Sequence, residues 1–188
     1  MSRTLVGGVG YHDLRDFSVG PLLVHALREE PWPDGVVVED LSYNPVKVVH
    51  RLKDEDPPFD RLLVLGAVRR GRRPGSVVAY RWDRALPDPE EIQNRMAEAV
   101  TGVVGLDNLL VVTTALGAMP GQVLVVEVEP EVEAVGERLS PAVARGAEHT
   151  RRLVGLLLRG GPGTPLLAEA PLGGLTTTDG HGDEHDIA

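Results

Sequence analysis

The sequence predicts an α/β protein in which helices cover both faces of an open sheet. Short apolar runs typical of buried strands alternate along the chain with segments whose apolar residues recur at helical spacing. Such an alternation of strands and helices favours a sheet with crossover helices. The length of 188 residues suits one domain, and 42% hydrophobic residues support a core. Because aromatic residues make up only 4%, that core must be built from Val, Leu and Ala.

The first half of the chain predicts three strands and two helices. The run Thr4–Gly8 is apolar and ends in glycine, which indicates a buried first strand. From Val19 to Arg28 the apolar residues occupy one helical face, and Pro31 and Pro33 then stop the helix. The other elements are strands at Val36–Glu39 and Arg61–Leu65 and a short helix at Pro45–Leu52.

The second half predicts two strands and three helices. Asp88 can cap a helix that begins with Pro89. Ser140 and Pro141 repeat this pattern for a long helix that ends at Leu158. The other elements are strands at Ser76–Arg81 and Gln122–Glu127 and a mostly buried helix at Leu106–Leu116.

The composition of the chain changes at Gly160. Residues 1–159, the predicted single α/β domain, contain 19 basic and 23 acidic residues, a net charge of −4. Residues 160–188 contain five acidic residues and no Lys or Arg and are rich in Gly, Pro and Thr, so we expect a flexible acidic tail. The total charge of −9 argues against nucleic acid or a membrane surface as a partner.

The residue inventory excludes several kinds of site. The chain has no cysteine, and therefore no disulfide, thiolate metal site or cysteine nucleophile. We find no signal peptide and no apolar run of membrane-spanning length, so we expect a cytoplasmic protein. Gly8 and Gly10 lack the third glycine of a dinucleotide-binding fingerprint, since Asp13 stands there. A phosphate loop and a G-x-S-x-G nucleophile elbow are also absent.

Polar side chains follow the predicted strands at their carboxyl ends, where open α/β sheets bind ligands. His12, Asp13 and Asp16 follow the first strand, and Asp40 follows the second. These four residues either converge as a small metal site with nitrogen and oxygen ligands or are loop caps and solvated charges. The basic run after the third strand is either a solvated turn or an anion site; it comprises Arg69, Arg70, Arg72 and Arg73.

Several segments share their residues and order with one enzyme family. The opening LVGGVGYHDLRDFSVGPLLV places Gly8, Gly10, Asp16 and Gly20 in the register of that family's first strand, G-x-G-N loop, acidic pair and helix start. Further matches, within a stretch from about Thr4 to Leu158, are Val38–Asp40, Arg73–Val78, Gly105–Leu106, Val126–Glu131 and Leu139–Val143. On these motifs the chain resembles the nickel–iron hydrogenase maturation endopeptidases.

This resemblance implies a three-layer α/β/α fold with an open mixed sheet, of the phosphorylase/hydrolase-like type. It also implies a hydrolase that removes a C-terminal extension from the hydrogenase large subunit once nickel is in place. In the family, a Glu, an Asp and a His of one cleft bind that nickel. The implied partner is therefore the hydrogenase large subunit or a maturation factor.

The chain departs from the family at all three metal-ligand positions. Phe17 stands where the Glu is expected, Gly66 replaces the Asp, and Gly102 or a neighbour replaces the His. Their side chains offer no electron pair to a metal. We therefore expect no bound cofactor and assign no catalytic residue. We also expect a cleft in which Phe17 faces the loops at Gly66 and Gly102.

Three hypotheses remain open at this point. In the first, the chain is a degenerate, non-catalytic member (a pseudoenzyme) that binds a hydrogenase subunit or a maturation factor. In the second, it is an active metal-dependent maturation endopeptidase whose site is rebuilt from His12, Asp13, Asp16 and Asp40. In the third, only the fold is kept and the role is unrelated.

Overall fold

A computed structural model describes residues 2–160 and 163–174, which contain six strands and five α-helices. A short 3-10 turn at Arg15–Ser18 precedes the first helix. The elements in chain order are β1 (Thr4–Val9), α1 (Val19–Arg28), β2 (Val36–Asp40), α2 (Pro45–Lys53), β3 (Arg61–Ala67), β4 (Val77–Trp82), α3 (Pro89–Thr101), α4 (Leu106–Ala115), β5 (Gln122–Val128), α5 (Pro141–Arg159) and β6 (Glu169–Ala170).

The strands form one mixed sheet in the order β2-β1-β3-β5-β4-β6. Strands β2, β1, β3 and β5 are parallel, β4 runs antiparallel to β5, and β6 is parallel to β4. In the register of the central strands, Leu5 of β1 pairs with Leu62 of β3, which pairs with Val123 of β5. The α/β class and the mixed sheet expected from the sequence are confirmed.

Helices cover the two faces of the sheet as separate layers. Side chains of a strand alternate between the two faces, so each central strand contributes to both cores. Val6, Leu63 and Leu124 pack with α1 and α5 on one face. Leu5 and Leu62 pack with α2 and α4 on the other. Helix α3 contacts α4, which completes the second helical layer.

The helix starts read from the sequence are confirmed. The Asp88 carboxylate accepts a hydrogen bond from the Glu91 N–H at 3.0 Å, and Pro89 opens α3. The Ser140 hydroxyl accepts from the Val143 N–H at 3.4 Å, and Pro141 opens α5. These caps satisfy N–H groups that a helix leaves without an internal partner.

Two glycines bring α1 close to β1. A Cβ atom at Gly8 would lie 2.3 Å from the carbonyl oxygen of Gly20, and one at Gly20 would lie 2.3 Å from that of Val9. No larger residue fits at either position without a backbone shift. The G-x-G segment and the glycine that opens the first helix therefore pack the helix against the strand.

Part of the segment expected to be a flexible tail lies in the sheet. Glu169 and Ala170 form β6, which pairs with Arg81 and Trp82 of β4, and Ala170 is buried. The described domain therefore extends to Gly174, beyond the boundary at residue 159 that composition indicated. The rest of the predicted tail, residues 175–188, lies outside the described residues.

No single helix among residues 2–160 and 163–174 is long and apolar enough to cross a membrane. Helices α3 and α4 reach that length and composition only as a pair, and they are bent by 114° at the break between them.

Candidate functional site

A cleft of about 240 Å³ lies at the carboxyl ends of β1 and β3, and we call it the central cleft. Its position is the one expected for a ligand site in an open α/β sheet. The N-terminus of α4 forms one wall, and Phe17 and the segment after β3 form the other. The lining residues are Val9–Tyr11, Phe17, Ala67–Arg69, Arg95 and Val103–Asn108.

Phe17 lies beneath an arginine in this cleft. The Arg69 guanidinium is 5.5 Å from the centre of the Phe17 ring, a cation–π contact. The Arg69 side chain is 54% exposed, and its ion pair with Glu133 is long, at 3.5 Å. The cleft therefore contains a cation that is only weakly engaged by carboxylates.

Gly66 and Gly102 flank the central cleft without lining it. Gly66 pairs with Val9, and a Cβ atom there would lie 2.6 Å from the Val9 carbonyl oxygen, so the backbone leaves no room for a side chain. Gly102 ends α3 with a φ of 88°, the left-handed conformation that glycine adopts at a helix end. Their neighbours Ala67 and Val103 lie on the cleft wall.

Asp16 is fully buried and holds the loop between β5 and α5 in place. One carboxylate oxygen accepts hydrogen bonds from the N–H groups of Glu131 (3.0 Å) and Val132 (2.8 Å). The other oxygen accepts from the N–H of Ser140 at 2.6 Å. Burial raises the pKa of Asp16, but these backbone hydrogen bonds outweigh it and hold the pKa below its usual value.

His12, Asp13 and Asp40 meet in a second pocket of about 440 Å³ beside α1, which we call the lateral pocket. The His12 Nε2 atom is 3.0 Å from a carboxylate oxygen of Asp40, and the His12 side chain is well exposed. Asp16 does not line this pocket, because its carboxylate is turned to the β5–α5 loop. The structure therefore brings together three of the four residues grouped from the sequence and separates the fourth.

A buried polar network next to the central cleft was not predicted from the sequence. Its centre is Glu127 of β5, whose carboxylate accepts hydrogen bonds from Arg70 (2.8 Å), Arg72 (2.8 Å) and the Tyr80 hydroxyl (2.8 Å). Arg70 also donates two hydrogen bonds to Asp107, at 2.8 and 2.7 Å. Arg70 and Arg72 are thus structural, and the solvated-turn interpretation of the basic run is wrong for these two residues.

The charges of this network stabilise one another. Burial raises the pKa of Glu127, but the hydrogen bonds and charge of Arg70, with those of Arg72 and Tyr80, outweigh it and hold the pKa below its usual value. Burial and the Glu127 charge raise the pKa of the Tyr80 hydroxyl. A carboxylate inside an otherwise apolar strand, as in QVLVVEV, was the signal in the sequence for such a network.

Asn108 is the second residue that the sequence did not single out. It lines the central cleft on α4 and is only 1% exposed. Within the described part of the chain, neither its amide nitrogen nor its amide oxygen has a hydrogen-bond partner. A buried amide without partners is costly to the fold.

The donors of the central cleft do not fit the nickel that the resemblance implies. Nickel needs nitrogen, oxygen or sulfur ligands that hold no positive charge. The residues that the resemblance aligns with the family's ligand positions are Phe17, Gly66 and Gly102 or a neighbour, and the one carboxylate on the wall, Asp107, is held by Arg70. Across residues 2–160 and 163–174, no three His, Asp or Glu side chains are grouped so that they could hold a metal ion.

Comparison with known proteins points to one fold family. No protein-family model and no curated protein sequence matches the chain. Among solved structures, an endopeptidase from Escherichia coli is 25% identical, with a TM-score of 0.60, over 84% of this chain and 94% of that one. A hydrogenase 2 maturation peptidase from a Thaumarchaeota archaeon is 24% identical, with a TM-score of 0.59, over 85% and 99%. A hydrogenase 3 maturation protease is 19% identical, with a TM-score of 0.62, over 89% and 96%.

Proposed function

Because the chain has the fold of the nickel–iron hydrogenase maturation proteases, we propose that it acts in hydrogenase maturation as a non-catalytic member of that group. In this role it binds a hydrogenase large subunit or a maturation factor at the central cleft and does not cleave it. The observation that carries the proposal is the chemistry of the cleft, where Phe17, aligned by the resemblance with a metal-ligand position, lies under the guanidinium of Arg69.

The surroundings of the cleft support a binding role. The scaffold that shapes it is retained, including the close packing at Gly8 and Gly20 and the loop held by Asp16. Asp16 belongs to the acidic pair of the resemblance, but its three backbone hydrogen bonds occupy both oxygens. The other groups on the walls are mainly apolar, with a few polar ones, which is the composition of a ligand-binding cleft.

The experiment compares binding and cleavage of one substrate. The purified full chain is mixed with a nickel-loaded precursor of a hydrogenase large subunit, and the complex is measured by calorimetry. The mass of the precursor is then measured by mass spectrometry. We expect a complex and an intact C-terminal extension. Removal of the extension would contradict the non-catalytic role. If the chain forms no complex with the subunit or with a maturation factor, the third hypothesis is favoured, in which the protein keeps the fold but has an unrelated role.

A pair of matched variants locates the binding surface. Val103→Glu places a charge on the cleft wall, whereas Val100→Glu makes the same change at a 79% exposed position near the end of α3, outside the cleft. We expect Val103→Glu to weaken the complex at least tenfold, because a partner bound in the cleft would bury the new charge against the apolar wall. Val100→Glu should leave the complex unchanged. Equal effects of the two variants would place the interface elsewhere.

One observation favours the active alternative, a maturation endopeptidase with a rebuilt metal site. His12 and Asp40 are paired at 3.0 Å, and Asp13 lines the same lateral pocket. Calorimetry with nickel alone tests it. Stoichiometric binding that both His12→Ala and Asp40→Asn abolish would support this alternative, and binding that neither variant changes would contradict it.

A further inference from the structure

We propose that the central cleft binds the C-terminal carboxylate of a protein chain together with its last peptide group, through Arg69, Asn108 and the N-terminus of α4. The proposal deepens the proposed function, on which it rests, because it names the part of the partner that enters the cleft. The ligand is an anion, and its site stands where the resemblance places a cation.

Asn108 indicates the peptide group. This residue is 1% exposed and lines the cleft, and its amide nitrogen and oxygen have no partner in the described part of the chain. An amide offers donors and an acceptor side by side, which match the C=O and N–H of a peptide unit. A ligand that pairs with both atoms removes the cost of an unpaired buried amide.

The first turn of α4 indicates the carboxylate. This 10-residue helix begins at Leu106, and its N-cap, Gly105, contributes no side-chain hydrogen bond. The free N–H groups and the positive end of the helix dipole therefore face the cleft, which residues 105–108 line. The acidic residue of this turn, Asp107, does not occupy the position, because its carboxylate is held by Arg70.

Arg69 supplies the positive charge. Three charged side chains line the cleft, and two of them are engaged by close partners: Arg95 by Glu91 at 2.8 Å and Asp107 by Arg70 at 2.7 Å. Arg69 has only the 3.5 Å pair with Glu133 and rests on the Phe17 ring. Its guanidinium is thus free to form two hydrogen bonds to a carboxylate.

The size and walls of the cleft restrict the ligand to a chain end. A volume of about 240 Å³ is small for a ligand pocket and accommodates one or two residues. The walls are apolar, which favours an aliphatic last residue; they are formed by Val9, Phe17, Val68, Val103 and Leu106.

The test uses the full chain and a defined probe, N-acetyl-alanyl-valine with a free carboxylate. Its C-terminal amide is the matched ligand without the charge. We expect NMR titration with the acid to shift the backbone amides of residues 105–108 and the side-chain amide of Asn108. The Kd for the amide should be at least tenfold higher. Equal binding of acid and amide overturns the proposal. So does acetate binding as tightly as the peptide, which would mark an adventitious ion only.

Three variants assign the contacts. Arg69→Gln and Asn108→Leu should each raise the Kd of the acid about tenfold, the equivalent of one charge-assisted or buried hydrogen bond. Arg73→Gln makes the same charge change in the same loop, at an exposed position that does not line the cleft, and should leave the Kd unchanged. Equal effects of Arg69→Gln and Arg73→Gln contradict the assignment.

A failure of the carboxylate site can be distinguished from a failure of the proposed function. If the peptide acid fails to bind while a hydrogenase subunit forms a complex, the carboxylate site is wrong and the binding role stands. If the acid binds and no hydrogenase component does, the site stands for another partner.

Discussion

At the scale of single residues, burial and hydrogen bonding decide what a polar side chain does. Asp16 is an acidic residue placed by sequence position among ligand candidates, and the structure uses it to fix backbone. Asn108 is a neutral residue in a buried helix, and both polar atoms of its side chain lack hydrogen-bond partners within the described chain. Burial and hydrogen bonding, and not residue type, therefore separate the structural from the candidate binding groups.

Asp16→Ala should strongly destabilise the fold. The substitution leaves the N–H groups of Glu131, Val132 and Ser140 without their acceptor, in a region where Asp16 is fully buried. We expect the free energy of unfolding to fall by about 3 kcal/mol, as for loss of a buried charged acceptor. Urea unfolding measures the change. Asp13→Asn, which removes a charge from the same loop, serves as the control and should change it by less than about 0.5 kcal/mol.

Asn108→Leu should have the opposite effect. It replaces an unpartnered buried amide with an apolar side chain of similar size, so we expect the free energy of unfolding to rise by about 1 kcal/mol. Thr113→Val, on the same helix, is the comparison, because the Thr113 hydroxyl donates to the Leu109 carbonyl at 2.5 Å. That variant should not stabilise the protein. A stability loss from Asn108→Leu as large as that from Thr113→Val would show that the amide is satisfied.

At the scale of elements, the sequence predicted best those strands and helices that are marked by neighbouring residues alone. The strands β1, β3 and β5 are apolar runs that cross the centre of the sheet, and the capped helices α3 and α5 carry Ser or Asp followed by Pro. The strand β6 has two residues within a Gly- and Pro-rich segment, so no periodicity could reveal it. Its two residues pair with Arg81 and Trp82 and so cover part of the edge of β4.

Removal of the C-terminal segment should loosen this edge of the sheet. Ala170 is buried against Tyr80 and Trp82, and the Gly173 N–H donates to the Tyr80 hydroxyl at 3.0 Å. We expect a chain that ends at Gly160 to lose about 2 kcal/mol of unfolding free energy through lost apolar burial and hydrogen bonds.

Fluorescence shows where the loss occurs. The sequence has two tryptophans, so in a Trp32→Phe background Trp82 is the sole reporter, and its emission should shift to the red in the shortened chain. A chain that ends at Gly174 keeps every contact just described and is the control. Identical emission from the two shortened chains would mean that residues 163–174 do not cover Trp82.

At the scale of the whole molecule, the strand-end rule and the family resemblance each indicated a part of the cleft. The rule that ligands bind at the carboxyl ends of parallel strands pointed to the segments after β1 and β3, and the resemblance added Phe17; all three border the central cleft. The polar network could not be predicted in the same way, since Arg70 and Glu127 are 57 residues apart and meet only when β3 and β5 pair. The three hydrogen bonds that Asp16 accepts come from residues that lie 115 to 124 positions further along the chain. The sequence could not predict them either.

Carboxylates with long-range contacts of this kind make the stability of the whole fold depend on acidity. Asp16, Glu30 and Glu127 each join elements far apart in the chain; Glu30, for example, accepts hydrogen bonds from Arg151 (2.7 Å) and Arg159 (3.2 Å) of α5. In all three, burial raises the pKa, but hydrogen bonds outweigh it, and the arginine charges beside Glu30 and Glu127 add to their effect. The pKa therefore lies below the ordinary value of 3.8 for Asp or 4.5 for Glu.

The protein should therefore lose stability in acid. A carboxylate with a lowered pKa binds fewer protons in the folded than in the unfolded chain, so its contribution is complete above the unfolded pKa and disappears as the pH falls through the folded pKa. We expect the urea midpoint to be nearly constant from pH 7 to about 5 and to fall steeply below about 4. Glu30→Gln should lower the midpoint at pH 7 and make the acid decline shallower, since one of the three groups no longer titrates. A midpoint that rises on acidification would mean that these carboxylates are protonated more readily in the folded protein, and that the ion pairs of Glu30 and Glu127 do not stabilise the fold.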